Sequence, residues 1–167
     1  MVKEFFRKYI TTENILLFLM VSTGALLGFA FVLEYFVDLV PCPLCIVQRF
    51  FYLFIGISAL VGLFASLSSR LIGGVVVLWA IIGGGVALRQ VWLQHFPTIT
   101  DSTGCAVSFG SFLDSALFAL GGRGNCGIVD WTFLTFSIAE WSLVWFGIFL
   151  GVGIWLAAKE KRNGQYQ

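Results

Sequence analysis

The chain reads as an all-α membrane protein, a four-transmembrane-helix bundle with a short amphipathic surface helix in its second outer loop. Three observations point there. Of its 167 residues, 59% are hydrophobic and 11% charged, whereas charged residues make up about a quarter of an ordinary soluble domain. Four segments stay apolar over the roughly 20 residues needed to cross a bilayer. The one long polar loop carries an apolar pattern with helical spacing. A net charge of +1 argues against nucleic-acid binding, which needs a basic footprint. No composition shift marks a second domain, so residues 1–167 are one unit.

The first helix is expected at about 15–33, a stretch without a charge. Lys3, Arg7 and Lys8 precede it, as they would a secretory signal. The stretch is longer than a usual signal core, and a spanning helix is the better reading. The second helix is expected at about 45–67, with Arg49 near its start, and the third at about 71–88 after a tight turn at Ser68–Arg70. The fourth is expected at about 142–158. Loops of about 34–44 and 89–141 join them. A segment inside lipid must satisfy its own backbone polar groups, which favours helices throughout.

Basic residues set orientation, because Lys and Arg concentrate on cytoplasmic ends. Lys3, Arg7, Lys8, Arg70, Lys159, Lys161 and Arg162 fall on one face of a four-span arrangement. Glu34, Asp38, Asp101, Asp114, Asp130 and Glu140 fall on the other. Both termini are therefore expected in the cytoplasm and both cysteine-bearing loops outside. Trp92, Trp131 and Trp141 suit the outer interface and Trp155 the inner one. Gly24 with Gly28, Gly147 with Gly151, and the run Gly83-Gly84-Gly85 are candidates for close helix contacts. In the second loop, Phe109, Phe112, Leu113, Ala116, Leu117 and Leu120 recur at three- and four-residue spacing. Ser111, Asp114 and Ser115 lie opposite, which predicts a helix lying on the membrane surface.

Four cysteines carry the chemistry. Cys42 and Cys45 form a Cys-x-x-Cys pair where an acidic loop becomes an apolar helix. Pro43 suits the first helical position, because its missing N–H would have no helical partner there. Cys42 then falls near the N-cap and Cys45 in the first turn. Helix N-termini, Cys-x-x-Cys spacing and nearby cations each favour a reactive thiolate. Arg49 supplies the cation, four residues after Cys45 and one turn deeper. It can stabilise the thiolate or donate hydrogen bonds to a carbonyl of a lipid-soluble oxidant. Cys105 and Cys126 lie in the long loop, with Gly121-Gly122-Arg123-Gly124 leading to Cys126. Four cysteines allow three pairings.

At these residues the chain resembles the disulfide bond formation protein B (DsbB) family, membrane quinone reductases that reoxidise a periplasmic thiol oxidase. The resemblance spans nearly the whole chain. It rests on Cys42-Pro43-Leu44-Cys45-Ile46-Val47-Gln48-Arg49, on Arg89-Gln90-Val91-Trp92-Leu93-Gln94, and on Cys126 followed by Asp130-Trp131-Thr132-Phe133-Leu134. Trp141-Ser142-Leu143-Val144-Trp145-Phe146 extends it. The chain departs from the pattern at Ala139, where proline is common, and at Asn125, where Glu is common. No role passes to His95.

The resemblance implies a protein-dithiol:quinone oxidoreductase of the bacterial inner membrane that sustains periplasmic disulfide formation. Cys105 and Cys126 match the loop pair. Cys105 matches the member that forms a mixed disulfide with a DsbA-like, thioredoxin-fold partner. Cys42 and Cys45 match the pair that passes electrons to quinone, Cys45 being next to the ring, and Arg49 matches the quinone-site arginine. Ubiquinone is favoured over menaquinone. Three rivals are weaker. A four-cysteine zinc site lacks a second Cys-x-x-Cys. A scaffold braced by disulfides would resist a soluble dithiol, and its reduction would not be linked to quinone. An enzyme of the vitamin K epoxide reductase type would place its quinone-facing pair near a later helix.

Overall fold

The computed structural model describes residues 11–37, 42–65, 67–96 and 132–163. Helix α1 spans Thr12–Phe36, α2 Pro43–Phe64, α3 Ser69–His95 and α4 Ile138–Asn163. All four are long and apolar enough to cross a membrane. The chain is thus an all-α, multi-pass membrane protein with four spanning helices among the described residues. Cys105, Cys126 and the amphipathic stretch from Phe109 to Leu120 lie outside the described residues.

Each helix starts on a side-chain cap that takes up N–H groups lacking a helical partner. Thr11 accepts from the Asn14 N–H at 3.3 Å. Cys42 accepts from Cys45 at 3.2 Å, and Ser68 from Leu71 at 3.4 Å. At α4, Ser137 Oγ accepts from the Glu140 N–H at 3.3 Å, and Glu140 Oε2 accepts from the Ser137 N–H at 2.7 Å. That reciprocal pair is a capping box.

Three helices exceed the lengths expected from sequence, α1 by three residues at each end. Helix α3 runs past Leu88 to His95 because Gln90 and Gln94 turn inward and find partners. Helix α4 begins at Ile138 rather than Ser142, because the capping box at Ser137 and Glu140 opens it. Ala139, in its first turn, occupies a position where proline would also fit. Conversely, α2 stops at Phe64, and Arg70 belongs to the first turn of α3. Glu34, expected in a loop, sits in the last turn of α1.

The helices pack in sequence: α1 on α2, α2 on α3, and α3 most extensively on α4, while α1 and α4 touch little. Leu19, Ile55, Ala59, Val76, Phe146, Phe149 and Leu156 centre the core. Glycines decide how close the helices come, though not the pairs that four-residue spacing suggests. A Cβ on Gly24, Gly28, Gly147 or Gly151 would meet nothing. A Cβ on Gly73 would lie 2.7 Å from the Gly153 carbonyl oxygen and from the Ala157 nitrogen. One on Gly56 would lie 2.7 Å from Thr23 Oγ1, and one on Gly83 would overlap the Phe146 ring. That ring cannot yield. It stacks on Tyr52 at 4.4 Å between centroids and is buried in the core.

Polar side chains inside the spans are paired. Ser22 and Thr23 bond back to the Phe18 and Leu19 carbonyls at 2.5 and 2.8 Å. Tyr52 and Ser142 share a 2.6 Å hydroxyl–hydroxyl bond between α2 and α4. Large side chains such as Phe29, Leu78, Ile81, Val144 and Ile154 are exposed, as lipid-facing residues should be. At one end, Lys159 lies 5.0 Å over the Trp155 ring and donates to Thr12 at 3.4 Å. At the other, β1 (Thr132–Phe133) pairs antiparallel with β2 (Phe136–Ser137). Their turn puts Leu134 at φ 52° and Thr135 at φ 69°, a region that side chains with a Cβ seldom adopt.

The open and filled glycine positions predict opposite outcomes. Gly83→Val is expected to cost about 1–3 kcal/mol through overpacking, seen as a lower thermal midpoint in detergent micelles. Gly24→Val is expected to leave that midpoint unchanged.

Candidate functional site

The site lies where the head of α2 meets the last turns of α3. Cys42 is the N-cap of α2, with extended backbone at φ −69° and ψ 155°, and Pro43 opens the helix. The cap brings the Cys45 N–H to within 3.2 Å of Cys42 Sγ. It also lets Ile46 N–H donate to the Cys42 carbonyl at 3.1 Å. The two residues therefore share the first turn, as the Cys-x-x-Cys spacing and Pro43 predict. Both are half-buried. Beneath them Leu44, fully buried, packs with Val86 and Leu93 of α3 and with Val47 and Phe51. That apolar floor fixes the register between α2 and α3.

The sulfurs face an amide that sequence reading left without a role. Gln90 Nε2 donates to Cys42 Sγ at 3.3 Å and to Cys45 Sγ at 3.2 Å. Gln90 Oε1 accepts from Gln48 Nε2 at 2.6 Å. Both glutamines are buried, each 3% exposed. One signal was available. A buried amide inside a spanning helix needs a partner, and Gln48 stands three residues after Cys45, on the cysteine face of α2.

Arg49 reaches the other way, toward α1. Its Nη1 donates to Glu34 Oε2 at 2.6 Å and its Nη2 to the Ala30 carbonyl at 3.4 Å. Its guanidinium carbon lies 5.5 Å over the Phe31 ring. A charge in a spanning helix is expensive unless paired, and Glu34 provides the counter-charge. Arg49 thus ties α2 to α1 through Glu34 and the Ala30 carbonyl.

A third cluster joins α3 to α4. Ser137 Oγ donates to Gln94 Oε1 at 2.8 Å. His95 Nδ1 is 3.0 Å from the Val91 carbonyl, and its Nε2 is 3.8 Å from Glu140 Oε1. His95 is well exposed. Among the described residues no group of three His, Cys, Asp or Glu gathers in a metal-binding cluster. The arrangement can form and break a Cys42–Cys45 disulfide. It has two sulfurs in one helical turn, N–H donors to accommodate charge on them, and a cation one turn deeper.

Comparison with known proteins agrees with this chemistry. The family model described as disulfide bond formation protein DsbB matches residues 12–156. Disulfide bond formation protein B of Aromatoleum aromaticum is 40% identical over 161 residues, covering 92% of this chain and 96% of that one. Its counterpart in an Azoarcus species is 40% identical over 140 residues, covering 80% and 84%. Disulfide bond formation protein B 1 of Pseudomonas aeruginosa is 40% identical over 139 residues, covering 78% and 85%. No solved structure matches the chain.

The ion pair between α1 and α2 generates a prediction. Glu34→Leu strands the Arg49 charge and is expected to lower stability by about 1–3 kcal/mol. Glu34→Leu combined with Arg49→Leu is expected to recover most of that loss. Thermal melts of the three variants in nanodiscs measure both.

Proposed function

The chain belongs to the disulfide bond formation protein DsbB family, and we propose that it reoxidises a DsbA-like, thioredoxin-fold thiol oxidase and passes the electrons to a membrane quinone. The observation that carries this reading is the Cys42–Cys45 pair at the head of a membrane-spanning helix, with Gln90 donating to both sulfurs and Arg49 one turn below. The pair stands where a soluble protein and a lipid-borne acceptor can both approach. Four spans put both termini on one side. The basic residues favour the cytoplasm for that side, which puts both cysteine loops in the periplasm of a bacterial inner membrane.

The reaction is a series of exchanges. A thiolate of the reduced partner attacks the Cys105–Cys126 disulfide at Cys105, forming a mixed disulfide and releasing Cys126. The partner's second thiolate resolves that bond, leaving the partner oxidised and the loop pair reduced. The loop dithiol then exchanges with the Cys42–Cys45 disulfide, so two electrons come to rest on Cys42 and Cys45. Each exchange needs an accessible sulfur and an attacking thiolate. Arg49 and Phe31 are the residues that would hold the quinone, ubiquinone before menaquinone, with Cys45 next to it. A bound quinone supplies a two-electron, two-proton acceptor.

Energetics explain why an acceptor is needed. A DsbA-type partner has a potential near −120 mV, whereas ordinary structural disulfides lie below about −300 mV. That gap of roughly 180 mV is about 8 kcal/mol for two electrons. A plain bracing disulfide could not oxidise such a partner.

The defining experiment is quinone reduction by the purified protein with a reduced thioredoxin-fold oxidase. Each of the four Cys→Ser variants is expected to lose turnover at least 100-fold, and wild-type rates in any of them would overturn its role. Cys105→Ser is expected to abolish the covalent adduct with the partner on a non-reducing gel. Arg49→Ala is expected to raise the apparent KM for quinone about tenfold, the effect of losing one hydrogen bond from a charged donor. An unchanged KM would show that Arg49 serves only Glu34.

A further inference from the structure

We infer that Gln48 and Gln90 form an oriented amide pair that sets the redox balance of the Cys42–Cys45 couple, with Gln90 acting on the sulfurs and Gln48 as its positioning residue. The inference rests on the reading of Cys42 and Cys45 as a redox couple, but not on the identity of the acceptor or the partner. An amide side chain has a donating end and an accepting end. Gln48, on α2, donates to the carbonyl oxygen of Gln90, on α3, at 2.6 Å. That bond commits the accepting end of Gln90. Its NH2 group is left facing the sulfurs, at 3.3 Å from Cys42 and 3.2 Å from Cys45. With Gln90 reversed, its carbonyl oxygen would face two sulfurs that offer it only weak donors.

The number of hydrogens matters. The NH2 group has two, and there are two sulfurs. Reduction breaks the Cys42–Cys45 bond when an incoming thiolate attacks one sulfur. The other sulfur departs with the bonding pair as a thiolate. The second thiol of the incoming dithiol then attacks the mixed disulfide, so the incoming molecule ends as a disulfide. Two electrons have moved to Cys42 and Cys45, and the two protons of the incoming dithiol go to their sulfurs or to water. Whichever sulfur departs first, a Gln90 hydrogen already points at it. Divalent sulfur is a weak acceptor, whereas hydrogen bonds to an ionised acceptor are roughly twice as strong as neutral ones. Gln90 therefore favours the reduced pair over the disulfide, which raises the potential of the couple. Burial of both amides strengthens the effect, since few water molecules compete.

The test uses the full-length chain in nanodiscs with Cys105→Ser and Cys126→Ser, so that a single couple titrates. Glutathione buffers set the potential, and a mass-tagged maleimide traps the thiols. Gln90→Met keeps the side-chain volume and removes the donor. It is expected to lower the equilibrium constant for reduction at least tenfold, about 30 mV. Gln48→Met leaves Gln90 in place but frees its orientation, and is expected to lower the constant two- to fivefold. Because Gln48 acts through Gln90, the double variant is expected to match Gln90→Met alone rather than the sum of the two. A purely structural pair of amides would lower thermal midpoints and leave the potential untouched. A constant within twofold of the parent for Gln90→Met, or shifts that add, would overturn the inference. If Gln90→Met does not fold, Gln48→Met decides alone: an unchanged constant in that variant refutes the proposal. A quinone assay that fails while this titration succeeds would count against the acceptor and leave the amide pair standing.

Discussion

Hydrocarbon offers a polar group no partner, so every donor and acceptor in the spans has to be matched by the protein itself. That constraint organises the structure. Ser22 and Thr23 bond back to their own helix. Tyr52 finds Ser142 across the core. Arg49 finds Glu34, and Gln48 finds Gln90. Among the described residues, no buried side-chain nitrogen or oxygen lacks a partner. Cys42 and Cys45 follow the same rule: their two sulfurs take the donor that the Gln48–Gln90 bond leaves over.

Much of this architecture can be read from the sequence, for a physical reason. Crossing a bilayer takes long apolar runs, and such runs are visible without a structure. The N-cap at Cys42 is equally legible, since Pro43 can stand at a first helical position and Cys-x-x-Cys closes one turn. Helix ends are less legible. The polar residues Arg89, Gln90 and Gln94 end the apolar run of α3 but not the helix, because Gln90 finds Gln48 on α2 and Gln94 finds Ser137. The capping box Ser137-Ile138-Ala139-Glu140 was readable and shows why α4 begins early.

The contacts that decide the site were hidden because they join distant parts of the chain. Gln48 and Gln90 are 42 residues apart. Four-residue spacing pointed Arg49 toward Cys45, yet α1 stands on that flank and brings Glu34. Glycine spacing misled for a similar reason. Gly24 with Gly28 and Gly147 with Gly151 have a contact motif but face outward. Gly56, Gly73, Gly83 and Gly153 carry the close approaches, and only the packing of helix on helix tells the two sets apart.

The length of α3 has a consequence for the lipids around it. At 1.5 Å per residue its 27 residues extend about 40 Å, while the hydrocarbon layer is about 30 Å thick. Helix α2, with 22 residues, spans about 33 Å and fits far better. The surplus of α3 must tilt or protrude, and its last turns carry the amide that faces both sulfurs. Longer acyl chains would draw that end beneath the head groups, and shorter ones would lift it toward water. On the proposed function, acyl-chain length becomes a physical control on how readily a water-borne reductant meets the sulfurs, without any change in the protein.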